Sequence, residues 1–194
     1  MRSYLPNAFL ALVLVCGHGC RESREPTTTM KKLFRSEDTP WSNQACDSLV
    51  SFRISFLPGN VESLRCDISR GTPALEYCIT NLSDSSLSIE PFHHGSLSSN
   101  PSLNIESDGK ELPPLDLTHK DFLPLRFIDI APRRSYRDTI TSFNYALAPD
   151  GIYEVYAVYS SRWGGYIDER EVMHRVLSGR LISNKLSLHA MRAR

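Results

Sequence analysis

The alternation of apolar and polar residues over positions 48–57 is the clearest structural signal in the chain. Apolar side chains occupy every second position of Val50–Phe56, and serine or arginine occupies the positions between them. Because successive side chains of a β-strand point to opposite faces, a period of two is typical of a strand with one buried face. The pattern predicts a half-buried strand.

Shorter segments of the same kind continue towards the end of the chain. They read "SLRCDI", "ALEYCITN", "SLSIEP", "SLNIES", "PLRFIDI", "SYRDTIT", "IYEVYAVYS" and "LISNKLSLHA". Turn-forming clusters such as "PGN", "RGTP", "SDGK" and "APDG" separate them, and no amphipathic helical pattern lies between them. The sequence therefore predicts an all-β, antiparallel β-sandwich rather than a βαβ fold.

The N-terminal residues carry the pattern of an export signal. Arg2 precedes an apolar run over residues 8–15, which is well short of the roughly 20 apolar residues that span a bilayer. Gly17 and Gly19 supply the small side chains that a signal peptidase accepts before its cleavage site. We expect residues 1–19 to be a signal peptide that is cleaved after Gly19.

Cys20 directly follows this cleavage site, and the arrangement resembles the signal of bacterial lipoproteins. Gly19 fits that pattern, whereas Gly17 stands where a leucine is usual. The resemblance implies an acylated Cys20 that holds the protein in the periplasm or at the outer face of a bacterial membrane through the lipid only. The alternative is a secreted protein without a lipid. Residues 20–45 have no apolar period and are expected to be a flexible tether before a folded domain at 46–194.

Tyrosines are concentrated in the stretch "PDGIYEVYAVYS". Asp150, Gly151 and Tyr153 resemble the tyrosine corner of immunoglobulin-like sandwiches, in which a tyrosine hydroxyl bonds to the preceding backbone. The segments "LEYCITNLSDSSLSI" and "LSGRLISNKLSLHA" resemble strands of the immunoglobulin-like domains of exported bacterial proteins. The resemblance implies an immunoglobulin-like sandwich whose core includes alternate residues of the tyrosine-rich strand, namely Tyr153, Val155, Ala157 and Tyr159. The alternative is an aromatic strip that binds a ligand.

Three cysteines follow the proposed lipidation site. In an oxidising compartment they leave at least one thiol unpaired, and a hairpin that turns at "RGTP" would set Cys66 opposite Cys78. We expect a disulfide between these two residues. The alternative is that both are small buried hydrophobic residues.

The balance of charges excludes one large class of function. Lysine and arginine total 22 residues, and aspartate and glutamate also total 22. Without a net field of either sign, nothing attracts nucleic acid to the chain. No nucleic-acid partner is expected.

Motifs for catalysis and for metal binding are missing from the sequence. Ser107 and Lys110 have the spacing of a Ser-Lys nucleophile pair, but Asp108 and Gly109 between them form a turn rather than a helix. His93 and His94 would point to opposite faces of an extended chain, and no CxxC pair is present. We expect no enzyme activity, no metal and no cofactor.

A candidate protein-binding surface lies in the segment "SSRWGGYIDEREVMHR", which is predicted to be a long loop with Gly164 and Gly165 as a pivot. The topology of an immunoglobulin-like fold would bring other connecting loops to the same end of the sandwich. The side chains predicted to meet there are Arg162, Trp163, Tyr166, Arg133 and Arg134, residue types that are common at protein interfaces. The alternative is that Trp163 folds down as a lid on the sandwich.

Together these patterns predict a lipid-anchored, non-catalytic protein-interaction module of the cell envelope that binds another envelope protein. The alternative function is a proteinase inhibitor or a peptidase accessory domain, since "SDGKEL" and "PDGIYEVYAVY" resemble the small sandwich domains with those roles. An inhibitor of this kind would insert a loop into the cleft of a protease.

Overall fold

The computed structural model describes residues 30–40, 48–57, 61–68, 72–90, 102–115, 126–140 and 145–191. These residues form fourteen β-strands and one short 3-10 turn, η1 (Ser36–Asp38). The all-β class predicted from the alternating segments is therefore confirmed. Among the described residues, no helix is long and apolar enough to cross a membrane.

The strands are numbered in chain order. Their bounds are β1 (Met30–Arg35), β2 (Val50–Phe56), β3 (Ser63–Asp67), β4 (Leu75–Asn81), β5 (Leu87–Ile89), β6 (Ser102–Ser107), β7 (Lys110–Glu111), β8 (Ile128–Ile130), β9 (Ser135–Ile140), β10 (Ile152–Ser161), β11 (Trp163–Asp168), β12 (Met173–Arg175), β13 (Gly179–Ile182) and β14 (Leu186–Met191). Every alternating segment of the sequence contains at least one of them.

Two sheets form a β-sandwich around the main hydrophobic core. One sheet has the order β2-β4-β9, and the other has the order β3-β14-β10-β6-β7, with β13 also paired to β10. Side chains from both sheets, including Phe56, Tyr77, Ile105, Val155 and Leu188, share one cluster and are fully buried. This strand order matches that of an immunoglobulin-like sandwich. β10 lies between β14 and β6, just as strand F of the immunoglobulin fold lies between its strands G and C.

The alternating patterns read from the sequence correspond to the observed burial. In β2, Val50, Phe52, Ile54 and Phe56 are buried, while Arg53 is exposed. In β10, the four alternate residues that begin with Tyr153 belong to the core cluster, and Ile152 on the other face is exposed. The predicted inward faces of both strands are confirmed.

A further layer, here called the hairpin layer, consists of β1, β11 and β12 together with the β5-β8 pair. A parallel bridge between Ser88 and Val176 connects β5 to β12, and Leu177 N donates a hydrogen bond to Ser88 O at 2.7 Å. Since β11 is antiparallel to β12 and β8 is antiparallel to β5, β8 and β11 run in the same direction. The residues before β11 and those after β8 therefore lie at opposite ends of the layer.

The predicted Cys66–Cys78 disulfide is wrong, since no disulfide joins these two residues. Cys66 lies on β3, which pairs with β14 rather than with β4, and it packs against the core. Cys78 lies on β4 in the opposite sheet. Its neighbours Tyr77 and Ile79 are buried, and Cys78 is on the other face of the strand. The expected hairpin is absent because the chain crosses from one sheet to the other between the two cysteines.

The extent of the predicted tether is also corrected. Met30–Arg35 were assigned to it, but they form β1 and pair with β11. Leu33 and Phe34 of this strand are half-buried, and Lys31 forms an ion pair with Glu171. The sequence did not reveal this strand because its burial depends on β11, which is far away along the chain. The signal peptide, Cys20 and Cys46 lie outside the described residues.

Candidate functional site

Residues 160–175, predicted to be a long loop, are mostly paired strand, with a turn over residues 169–172. β11 forms hydrogen-bonded ladders with β1 on one side and with β12 on the other. Gly164 and Gly165 lie within β11 and are buried, so they do not form the predicted pivot. The segment is a hairpin that extends the fold.

Gly164 allows η1 to pack directly on β11. A Cβ at this position would lie 2.7 Å from Ser36 Cα and 2.9 Å from the Thr39 side chain. Ser36 N donates to Arg162 O at 3.0 Å, and Thr39 Oγ1 donates to Ser36 O at 2.8 Å. These contacts fix the backbone on both sides of Trp163.

Arg162 and Trp163 form a cation–π pair at the start of β11. The guanidinium carbon of Arg162 lies 4.6 Å from the centroid of the Trp163 ring. Arg162 is exposed, Trp163 is half-buried, and Arg35 of β1 is the strand partner of Trp163. We call these three residues the tryptophan surface. It combines a partly accessible aromatic ring with two guanidinium groups.

Tyr166 was predicted to contribute to the same surface, but only 2% of it is exposed. Its ring stacks between Phe127, with centroids 5.1 Å apart, and His174, with centroids 4.5 Å apart. Burial, together with the nearby charge of Asp129, raises the pKa of the Tyr166 hydroxyl to about 12. Tyr166 is thus part of the internal packing of the hairpin layer.

Arg133 and Arg134 do not join the tryptophan surface either. They lie in the turn after β8, whereas Arg162 lies before β11, and the strand directions place these positions at opposite ends of the hairpin layer. Arg133 instead contacts Asp84 through Nε at 3.1 Å and Nη2 at 2.8 Å. The predicted five-residue surface is therefore reduced to Arg162 and Trp163.

A polar network that was not predicted from the sequence surrounds His174. Its Nε2 lies 3.2 Å from Asp168 Oδ2, and its Nδ1 lies 3.4 Å from Asp129 Oδ2. Hydrogen bonds from the Val172 and Arg170 backbone and from His174 lower the pKa of Asp168. A hairpin turn at "DEREV" would have paired Tyr166 with His174, but nothing in the sequence places Asp129 beside them.

The geometry of this network favours a structural role. Both ring nitrogens of His174 face carboxylates, and the Ser88 hydroxyl donates to Asp129 rather than to the histidine. A serine nucleophile would need the imidazole within reach as its base. The network connects β8, β11 and β12, so it ties the hairpin to the rest of the layer.

Tyr153 bonds to the backbone that precedes its own strand. Its hydroxyl accepts a hydrogen bond from Ala148 N at 2.7 Å and lies 3.1 Å from Ala148 O. A Cβ on Gly151 would lie 2.5 Å from the Tyr153 hydroxyl oxygen, so the ring occupies the space beside this glycine. Asp150 precedes them in the left-handed region, with a φ of 63°. This is the geometry of a tyrosine corner.

The described residues contain no group of three or more His, Cys, Asp or Glu side chains that could hold a metal ion. His93 and His94 lie outside the described residues. Ser107 and Lys110 flank the β6-β7 turn, where Asp108 and Gly109 both have a positive φ. The turn predicted at this position is present.

Similarity to known proteins is limited to a distant structural likeness. No family model matches the sequence, and no curated protein shows significant similarity to it. Among solved structures, the chain is similar to "X-ray structure of Northeast Structural Genomics Consortium target SoR45", with 16% identity, a TM-score of 0.31, and coverage of 73% of this chain and 84% of that chain. The class of protein rests on the chain's own strand order, which is that of an immunoglobulin-like β-sandwich.

Proposed function

We propose that this protein is an exported, lipid-anchored, non-catalytic module that binds another protein of the cell envelope through the tryptophan surface. The observation that carries the proposal is the Arg162–Trp163 pair, which lies partly open to solvent on a paired strand. Tryptophan and arginine are enriched at binding hot spots because they offer a large apolar area together with directed polar contacts.

The rigidity of the surface supports this function. β11 is paired on both sides, and η1 packs against Gly164 next to Trp163. A surface that is already ordered loses less conformational entropy on binding than a flexible loop does. The backbone contacts around Trp163 therefore favour a pre-formed binding site.

The export and lipidation steps of the proposal are supported by the sequence. The apolar run and Gly19 directly before Cys20 resemble a lipoprotein signal, which usually has a leucine at the position of Gly17. β1 begins ten residues after Cys20, so the folded domain would start close to the lipid.

The alternative function, a proteinase inhibitor, requires an extended loop that can enter a cleft. The two segments that resemble inhibitor domains, "SDGKEL" and "PDGIYEVYAVY", lie in the tight β6-β7 turn and in the central strand β10. No observation in the described parts of the chain favours the inhibitor over the interaction module.

Site-specific photo-crosslinking in intact host cells tests the proposal. A photoreactive amino acid at Glu37, which is exposed and lies in η1, should crosslink to an envelope protein. The same amino acid at the exposed Ile152, on β10 of the six-stranded sheet, should not. Trp163→Ala should abolish the crosslink without a matching loss of thermal stability. If Trp163→Ala lowers the melting temperature but leaves the crosslink intact, Trp163 is a structural lid and the proposal fails.

A further inference from the structure

The pairing of β1 with β11 determines which end of the hairpin layer is closest to Cys20. Met30 is the register partner of Asp168, at the end of β11 that leads into the hairpin turn. Arg35, at the other end of β1, is the partner of Trp163. The chain that arrives from Cys20 therefore enters the layer beside the hairpin turn and away from the tryptophan surface.

The length of chain between Cys20 and Met30 keeps that end near the anchor. Met30 lies ten positions after Cys20 in the sequence. Ten residues of fully extended chain span at most about 35 Å. A lipid on Cys20 would thus hold the start of β1 within a short distance of the bilayer.

The hairpin turn carries exposed apolar side chains. Val172 is 50% exposed and Met173 is 37% exposed, and both lie at or next to the turn that joins β11 to β12. Exposed apolar side chains at a membrane-facing position gain free energy by entering the boundary between headgroups and acyl chains. These two residues are well placed for such contact.

Charges near the turn are compatible with a lipid surface. The carboxylate of Glu171 is paired with Lys31, and Glu169 lies next to Arg170 in the sequence. The turn after β8 lies at the same end of the layer because β8 and β11 run in the same direction. In this turn Arg133 is paired with Asp84, and the neighbouring Arg134 is exposed. An exposed cation is attracted to anionic headgroups near a membrane surface.

We propose that residues 169–173 contact the lipid headgroups of the bilayer that anchors the protein. This orientation rests on the proposed lipidation of Cys20 and deepens the proposed function, because it directs the tryptophan surface away from the membrane. The bilayer is the occupant that the position of Met30, the exposed Val172 and Met173, and the surrounding cations all favour.

The methionine methyl groups provide a direct test. The four methionines are Met1, which the signal peptide would remove, and Met30, Met173 and Met191. Met30 and Met173 lie near the hairpin turn, whereas Met191 ends β14 in the six-stranded sheet and is 38% exposed. The acylated mature protein, labelled with methyl-¹³C methionine, would be placed in phosphatidylglycerol-containing nanodiscs with a gadolinium-labelled headgroup lipid. We expect the Met30 and Met173 signals to broaden and the Met191 signal to remain sharp.

A charged substitution shows whether the hairpin turn itself contacts the bilayer or is only near it because the chain is anchored at Cys20. Val172→Asp should weaken the broadening of Met173 several-fold and leave that of Met30, while Ile182→Asp, at a strand position that is 54% exposed, should change neither. Equal broadening of Met173 and Met191, or none at Met173, would overturn the orientation. The mass of the same sample distinguishes the proposed lipid anchor from the proposed membrane contact. If Cys20 is acylated but the Met173 signal stays sharp, only the membrane contact of residues 169–173 is excluded. If the protein carries no acyl mass, both the anchor and the contact are excluded.

Discussion

At the residue scale, the tryptophan surface depends on the lack of a side chain at Gly164. Because η1 approaches the backbone of β11 at this position, a methyl group would overlap with Ser36 and Thr39. The glycine was predicted to provide flexibility, yet its physical role is the opposite, since it permits a close contact that holds the backbone of Trp163 in place. A sequence shows the glycine, but it does not show which distant segment packs against it.

Gly164→Ala should therefore destabilise the fold. Displacing a close backbone contact costs about 1–3 kcal/mol in overpacked sites. Urea unfolding of the variant would measure the loss, and Ile152→Ala, at a position that is 62% exposed, is a suitable control. If both variants unfold at the same urea concentration, the close contact of η1 with Gly164 does not contribute to stability.

The hydrogen bonds of Asp168 predict how stability depends on pH. Its pKa in the folded protein is lowered from the ordinary value of 3.8, so the ionised carboxylate contributes stability above that pH, and the contribution is lost as the pH falls through the lowered pKa. Asp168→Asn removes the charge but leaves an oxygen that accepts from the Arg170 and Val172 amides. The difference in melting temperature between wild type and Asp168→Asn should be largest near neutral pH and should shrink as the pH falls below about 4. A difference that is constant across this range would exclude the ionised carboxylate as the source.

At the element scale, strands with a local alternating pattern were predictable and strands stabilised by distant partners were not. β2 alternates in burial as it does in sequence, because it has one face on the core. β10 places its predicted face, Tyr153 to Tyr159, on the core, but Tyr156 and Val158 on its other face are buried as well. β1, β11 and β12 have no such pattern, since their partners are one another and the β5-β8 pair. Of the predicted binding surface, only Arg162 and Trp163 lie together in the structure. The positions of Arg133 and Tyr166 depend on strand pairings that the sequence pattern does not predict.

The tyrosine corner should stabilise the beginning of β10. Tyr153→Phe removes the hydroxyl that bonds to Ala148 and leaves that backbone amide without this acceptor. The expected cost is about 0.5–1.5 kcal/mol in the free energy of unfolding, typical of one intramolecular hydrogen bond. Chemical denaturation would measure this cost, and an unchanged midpoint would show that the hydroxyl contributes nothing to the corner.

At the scale of the whole molecule, the described part of the sandwich is held by its core, and no disulfide joins Cys66 to Cys78. Cys66 and Cys78 lie in different sheets, so the two thiols are separated by the layers of the sandwich. The sequence made a Cys66–Cys78 bridge plausible because it gave no sign that the chain changes sheets between them.

Removal of the Cys78 thiol should accordingly have little effect on stability. Cys78→Ser and the wild-type protein, both purified without a reducing agent, should have the same melting temperature, because no bond between Cys66 and Cys78 is lost. Addition of a reducing agent should change the two melting temperatures by the same amount. A marked fall in the melting temperature of the wild type on reduction, absent in Cys78→Ser, would show that Cys78 does form a stabilising disulfide.

We propose that a lipid on Cys20 holds this sandwich at a bacterial membrane, and the intact mass of the mature protein from its native host is the most direct test. We expect a chain that begins at Cys20 and carries the added mass of acyl groups. A chain of bare peptide mass, recovered from outside the cell, would contradict the anchor and with it the envelope-bound function.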